Sequence, residues 1–181
     1  MKQAQLSLES KIKAVVRDIP DFPKPGIIFK DLTPLLKMPD LSKEIIAKAA
    51  ADLAPFKPEA LVCLESRGFW YGLSIAIELG IPMIPIRKQG KLPYKVMAQE
   101  YDLEYGSAKV EIHIDALHPG MRVAIHDDLL ATGGTALAAT KLIAQQGATV
   151  CAYSFLVELG FLGGRARLEK HCEAVLPVVK Y

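Results

Sequence analysis

Apolar residues recur along this chain in two rhythms, and the change from one to the other divides it. Leu8, Ile12, Val15 and Val16 fall at helical spacing behind Ser7, a residue suited to cap a helix, and the pattern stops before Pro20. An N-terminal amphipathic helix is predicted. Asp21-Phe22-Pro23-Lys24-Pro25-Gly26 holds too much proline for a helix or a central strand and hands over to Ile27-Ile28-Phe29, which reads as an ordered surface arm. Leu41, Ile45, Ile46, Ala49 and Leu53 mark one face of a second helix, with Asp40 as its cap and an end near Pro55.

From residue 60 short apolar runs alternate with helical stretches. The runs are Ala60 to Leu64, Pro82 to Ile86, Met121 to Ile125 and Thr149 to Val157. Between some of them lie Phe69 to Leu79, closed by Gly80, and Thr135 to Gln146, closed by Gly147. Strands alternating with helices imply an α/β fold, a parallel sheet with helices on both faces. Lys109 to Asp115 differs, because Val110, Ile112 and Ile114 alternate with polar residues, the pattern of a half-exposed antiparallel strand. The stretch from Arg87 to Ser107 shows no period, and an irregular segment of roughly twenty residues in a compact domain is usually functional or disordered. No repeat or linker interrupts the chain, so a single domain over 1–181 is expected.

Composition narrows the function classes. With 51% hydrophobic and 23% charged residues, the chain is ordinary globular protein. Its 22 Lys and Arg nearly cancel 20 Asp and Glu, and a net charge of +2 supplies no global field to gather nucleic acid or an anionic membrane. Any anion site must be local. Cys63, Cys151 and Cys172 are odd in number, far apart and free of CxxC spacing, which argues against a disulfide framework or zinc site and for a reducing cytoplasm. No apolar run approaches the roughly 18 residues of a membrane span, and Met1 to Ser10 lacks the pattern of an export signal. A mean hydropathy of +0.22 suits a well-filled core and leaves room for a buried subunit interface.

The strongest chemical signal is Val123-Ala124-Ile125-His126-Asp127-Asp128-Leu129-Leu130-Ala131-Thr132-Gly133-Gly134-Thr135. It runs from a buried strand through two carboxylates into a glycine turn that opens a helix. Glycines let the backbone approach a ligand, and the N–H groups at a helix N-terminus bind anions, so the turn suits a phosphate monoester. Carboxylates would repel that phosphate, so Asp127 and Asp128 read as acceptors for sugar hydroxyls or for water on a metal ion. Phosphate plus sugar makes a ribose 5-phosphate cradle. No Gly-Lys-Ser/Thr and no GxGxxG is present, against nucleoside triphosphates and dinucleotides. Taken alone, the turn also fits plain strand-to-helix geometry with solvated aspartates.

Asp127-Asp128 followed by Ala131-Thr132-Gly133-Gly134-Thr135 resembles the phosphoribosyl-diphosphate signature of the type I phosphoribosyltransferase family. Four further motifs stand in the order seen in its adenine-specific branch: Phe22 to Asp31, Glu65-Ser66-Arg67-Gly68-Phe69, Arg87-Lys88-Gln89-Gly90-Lys91-Leu92-Pro93, and Leu103-Glu104-Tyr105-Gly106. The likeness spans Ile12 to Leu168. It implies a mostly parallel twisted sheet with helices on both faces, a flexible lid over about 88–107, a small N-terminal hood over about 20–35, and a homodimer. The implied reaction is purine salvage: phosphoribosyl diphosphate (PRPP) and adenine give AMP and diphosphate. Mg²⁺ is the implied cofactor, held mainly through PRPP and water, with Asp127 and Asp128 as candidate contacts.

The resemblance also implies residue roles. Ala131, Thr132, Gly133, Gly134 and Thr135 hold the 5-phosphate, and Asp127 and Asp128 face the sugar. Ser66 and Arg67 form the diphosphate loop, with a non-proline cis peptide at Glu65-Ser66, and Arg67 offers a planar fork to a phosphate. Arg87, Lys88 and Lys91 neutralise the leaving diphosphate while positive charge builds on the ribose. Glu104 is the acid/base residue, with Tyr105 beside it, on a lid that excludes water. The Ile28 backbone reads the base, Phe29 stacks on it with Lys30 alongside, and Leu159 closes the other face. A buried backbone donor and acceptor can separate a 6-amino from a 6-oxo purine.

Some positions depart from the family pattern. His126 replaces an aliphatic residue and reads as a hydrogen-bonded structural histidine. Lys30 stands where Arg is common and loses the bidentate geometry. Trp70, between Phe69 and Tyr71, serves helix packing or a dimer interface. Two alternatives remain at this point, a 6-oxo purine (hypoxanthine or xanthine) phosphoribosyltransferase and a non-catalytic PRPP-sensing regulator.

Overall fold

The computed structural model of the chain describes residues 6–102 and 107–181. Helix α1 (Leu8–Val15) begins at Ser7, whose hydroxyl accepts the Ser10 N–H. The chain then enters strand β1 (Arg17–Pro20), which pairs antiparallel with β2 (Ile28–Asp31), Pro20 opposite Ile28. The proline-rich arm is therefore the tip of a hairpin, folded back by a bond from Gly26 N–H to the Asp21 carboxylate at 2.7 Å. Helix α2 (Pro39–Leu53) starts from Met38 rather than Asp40. Proline occupies its first position, where the missing N–H is harmless, and Asp40 lies inside the first turn, where its charge suits the helix dipole and its carboxylate accepts from Lys43.

The remaining elements are β3 (Ala60–Leu64), α3 (Phe69–Leu79), β4 (Met83–Lys88), β5 (Val96–Asp102), β6 (Ser107–His113), β7 (Arg122–Leu130), α4 (Gly134–Gln145), β8 (Thr149–Glu158), α5 (Gly164–Leu168) and β9 (Val175–Lys180). Among the described residues seven strands form one sheet, in the order β5-β6-β4-β3-β7-β8-β9. Strands β4, β3, β7, β8 and β9 run parallel, and β6 is antiparallel to β4 and β5. This is the mostly parallel α/β sheet expected, with helices on both faces. Along β3, Ala60, Val62 and Leu64 join the cluster that holds Ala139, Leu142 and Ile143 of α4. The intervening Leu61 and Cys63 join Ile45 and Leu53 of α2 and Ile75 of α3. Side chains of period two thus feed both cores, and all five positions of β3 are buried.

Three expectations change. The irregular stretch 87–107 contains strand β5, which pairs with β6 from Val96 opposite His113 to Asp102 opposite Ser107. An edge strand of mixed polarity gains its conformation from its partner, so local pattern does not reveal it. The strand expected at Lys109 to Asp115 lies earlier, and Glu111 on its polar face is buried because it accepts the Gly90 N–H at 2.9 Å. Strand β9, with Pro177 inside it at the other edge of the sheet, has no counterpart among the runs read from the sequence. Between β7 and β8 the register passes from Val123–Val150 to Ala124–Ala152, which leaves Cys151 as an extra residue in a bulge.

Candidate active site

Strands β3, β4 and β7 end side by side, where α3 and α4 begin. Ligands in open α/β sheets bind at such carboxyl ends. Strand β7 delivers Asp127 and Asp128, and residues 131–133 turn the chain into α4. Gly133 has φ +78°, and a Cβ there would stand 3.2 Å from the Gly164 carbonyl oxygen, so both conformation and space call for glycine. No side chain caps α4, which leaves its first N–H groups for a ligand. They meet a cavity of about 240 Å³ lined by Asp127, Ala131, Thr132, Gly133, Gly134 and Thr135. Arg167 on α5 fixes the loop from behind, donating to the Thr132 carbonyl oxygen at 2.9 Å. Tyr101 of β5 lines this cavity too. Neither Arg167 nor Tyr101 carries a sequence signal, because each reaches the loop from a distant element.

A second cavity, about 370 Å³, is lined by Glu65, Ser66, Arg67, Lys88, Asp127 and Asp128 among others. The Glu65–Ser66 peptide is cis. Gly68 follows, at a point where a Cβ would stand 2.6 Å from the Leu64 carbonyl oxygen and 3.0 Å from Asp127 Oδ1. Only glycine lets α3 start this close to β7. Arg67 places Nε 2.9 Å from Asp128 Oδ2. That buried oxygen has no aligned hydrogen-bond donor among the described residues, so the pair is a charge contact with acceptor capacity to spare. Burial pushes the Asp128 carboxyl upward and the Arg67 charge pulls it back. Asp127 rises well above the ordinary carboxylate range, through burial and then the neighbouring Asp128 charge, although its Oδ1 accepts the Asp128 N–H.

Arg87 and Lys91, expected at the diphosphate, are absent from the residues lining this cavity, and Lys88 is present. Arg87 instead donates to Glu65 and to the Lys91 carbonyl oxygen. The hood joins the site through Arg67, whose guanidinium carbon lies 5.3 Å from the centre of the Phe29 ring. Phe22, at the hairpin tip, packs edge-on against Phe29, with ring centres 5.1 Å apart. Ile28 is exposed and Leu159 is buried in the core beneath. Lys30 turns away from the cavities: Nζ binds Asp18 at 2.6 Å and sits 4.2 Å from the centre of the Tyr181 ring. Glu104 and Tyr105 lie outside the described residues.

His126 is buried and hydrogen-bonded to Ser154 Oγ at 3.0 Å, and burial lowers its pKa to about 4. It is a neutral structural partner under the acidic pair. Among the described residues no group of three or more His, Cys, Asp or Glu stands ready to hold a metal ion. Asp127 and Asp128 fit hydroxyls or metal-bound water better than a bare ion. No helix of the described residues is long and apolar enough to cross a membrane.

Comparison with known proteins agrees with this geometry. The family described as "Phosphoribosyl transferase domain" matches residues 30–169. An adenine phosphoribosyltransferase of Cytophaga hutchinsonii is 57% identical over 181 residues, covering 100% of both chains. The crystal structure of the adenine phosphoribosyltransferase of Thermoanaerobacter pseudethanolicus superposes with a TM-score of 0.92 at 44% identity, covering 97% of this chain and 100% of that one. The Saccharomyces cerevisiae enzyme, solved with an imino-altritol bisphosphate and adenine, gives 0.88 at 38% identity, covering 94% and 97%. Fold and sequence thus both match over nearly the full length, and the chain belongs to the phosphoribosyltransferase family, among the adenine phosphoribosyltransferases.

Proposed function

We infer that this chain transfers the 5-phosphoribosyl group from PRPP to adenine, giving AMP and diphosphate, a reaction of purine salvage. The observation that carries this reading is the continuity of the two cavities, which share Tyr101, Asp127, Leu129, Ala131 and Thr135 as walls. One end offers helix N–H groups to a phosphate monoester, the other offers Arg67 and Lys88 to a diphosphate, and carboxylates stand between. A ligand with a sugar in the middle and phosphates at both ends matches that layout.

Breaking the sugar C1–O bond leaves negative charge on diphosphate and positive charge on the ribose. Arg67 and Lys88 stabilise the first. The ribose hydroxyls donate to Asp127 and Asp128, which keeps the sugar in line. Mg²⁺, held through PRPP and water, would add charge neutralisation at the diphosphate. Glu104 accepts the proton lost by the base as it attacks, with Tyr105 beside it. For the base, the hairpin supports a backbone readout: Ile28 stands opposite Pro20, which has no N–H to give, so the Ile28 carbonyl is spared for an amino group. Phe29 supplies the stacking face. Leu159 backs the site from the core. Lys30 orders the hairpin through Asp18 and Tyr181.

The reading includes a homodimer. Trp70, Leu73 and Ile77 share one face of α3, and Leu73 and Ile77 are 56% and 70% exposed. It also includes a cytoplasmic location, where the free thiols Cys63, Cys151 and Cys172 stay reduced. The deciding assay offers adenine, hypoxanthine and xanthine with PRPP. Adenine is expected to lead by about 10⁴-fold in kcat/KM, as for sites that hydrogen-bond a substrate group. A lead by either oxo-purine overturns the base assignment, and tight PRPP binding without AMP formation marks a sensor instead.

A further inference from the structure

A carboxylate lining a diphosphate site works against its ligand, yet Glu65 does so, one residue before Ser66 and Arg67. Its charge is spent locally. Oε2 accepts from Arg87 Nε at 3.2 Å and from the Lys88 N–H at 2.9 Å, and Arg87 Nη2 lies 3.5 Å from Oε1. The other end of the same guanidinium donates through Nη1 to the Lys91 carbonyl oxygen at 2.9 Å. Arg87 is thus a rigid spacer between Glu65 and the turn Lys88–Lys91, in which Lys91 N–H bonds back to the Lys88 carbonyl oxygen at 3.2 Å. A second carboxylate grips that turn from the opposite side, because the buried Glu111 accepts the Gly90 N–H at 2.9 Å. Burial opposes charge on Glu65, but the bonds from Lys88 N–H and Arg87 prevail and hold its carboxyl below the usual range.

We propose that Glu65 is a positioning residue for the diphosphate subsite: through Arg87 and the Lys88 backbone it fixes the turn that sets Lys88 in the wall of the cavity. The inference rests on the phosphoribosyl transfer stated above. Glu65 touches neither the base nor the bond that breaks, so its effect falls on the capture of PRPP and diphosphate.

The test measures KM for PRPP and for adenine, kcat, and diphosphate binding by calorimetry in wild type, Glu65→Gln, Glu65→Ala, Arg87→Ala and the double variant Glu65→Ala/Arg87→Ala. Glu65→Ala is expected to raise KM for PRPP by about tenfold, the scale of a lost hydrogen bond to a charged group. KM for adenine stays within about threefold, kcat falls by less than KM for PRPP rises, since Lys88 also faces the charge that builds on diphosphate, and diphosphate affinity falls in parallel with the PRPP effect. Glu65→Gln, which keeps an acceptor for the Lys88 N–H, recovers most of the loss. The double variant is no worse than the poorer single one, as for residues acting through one another. An unchanged or lowered KM for PRPP in Glu65→Ala overturns the proposal, since mere removal of a repelling charge would tighten binding. Multiplying effects in the double variant overturn it as well, and where Glu65→Ala folds poorly an unchanged KM for PRPP in Arg87→Ala, which cuts the same link between Glu65 and the turn, does so instead. Wild-type protein that forms no AMP with adenine defeats the transfer reading itself; an active wild type with an unmoved Glu65→Ala defeats only this inference.

Discussion

The end of the site proposed for the 5-phosphate is built from the backbone of residues 131–135, whereas the end proposed for diphosphate carries side chains that already have partners, Arg67 held by Asp128 and, behind the cavity wall, Glu65 by Arg87. Backbone N–H groups at the start of α4 have no competing partner and need no rearrangement to receive a phosphate. At the other end Arg67 already has a partner, so on the proposed reading diphosphate binds there by exchange. Arg67 can let go of Asp128 only when something else takes each charge, and in the proposed complex PRPP would supply both at once, phosphates for the guanidinium and ribose hydroxyls for the carboxylate.

The contrast can be broken most forcefully at Arg67. Arg67→Ala strips the diphosphate end of its guanidinium and leaves Asp128 buried without a counter-charge, so kcat/KM for PRPP should fall by about 10³-fold, or roughly 4 kcal/mol. Steady-state kinetics close to wild type would show that the ion pair is not part of the site.

Acid titration probes the floor beneath the acidic pair. His126, usually near 6.5, is held to about 4 by burial, so below pH 6.5 the unfolded chain binds a proton that the folded one refuses. Stability from this group is complete above pH 6.5 and drains away as the pH falls to 4, by up to about 3 kcal/mol. Asp127 and Asp128, pushed upward, act in the opposite sense and gain stability on acidification, so the histidine is isolated by difference. Urea unfolding at pH 7 and pH 4.5 should show a larger loss in wild type than in His126→Asn; equal losses would count against a buried neutral imidazole.

Glu104→Gln asks whether the proton transfer is carried by neither end. A drop in kcat of about 10²-fold, with KM values little changed, fits general base work, and an unaltered kcat would make Glu104 a bystander. The gentlest probe is Gly133→Ala at the backbone end. A left-handed φ costs a residue with a Cβ about 1–2 kcal/mol, so AMP, ribose 5-phosphate and PRPP should each bind about tenfold more weakly. Diphosphate alone should bind as before. Weakening of diphosphate to the same degree would show that the two ends do not act separately.

The same division explains what the amino-acid sequence discloses. Strands β3, β4, β7 and β8 and the glycine turn are readable because apolar runs, glycines and paired acids are local patterns with local causes. The edges of the sheet are not. Strand β5 depends on its register with β6, and β9 carries Pro177 in a run too short to separate strand from coil. In the site, residues 131–135 announce themselves through Thr-Gly-Gly-Thr, but nothing near Arg87 says that Glu65, twenty-two positions earlier, will take its guanidinium. Charge type is visible in a sequence, whereas the identity of its partner is settled by the fold. Lys30 makes the same point, since its destination, Tyr181, lies at the far end of the chain.

The bulge at Cys151 has a consequence for which changes this protein can accept. Beyond it, Ser154 meets His126 and Phe155 stands beside Asp127 only because β8 counts one residue more than β7. Side chains alternate between the two cores, so removing a single residue before Ser154 would exchange the inward and outward sets of the following strand and withdraw the partner of His126. Residue identities along β8 are open to drift within the limits of size and polarity, but its length relative to β7 is not. Insertions and deletions should therefore collect at the hairpin tip 21–26 and spare the stretch 149–154.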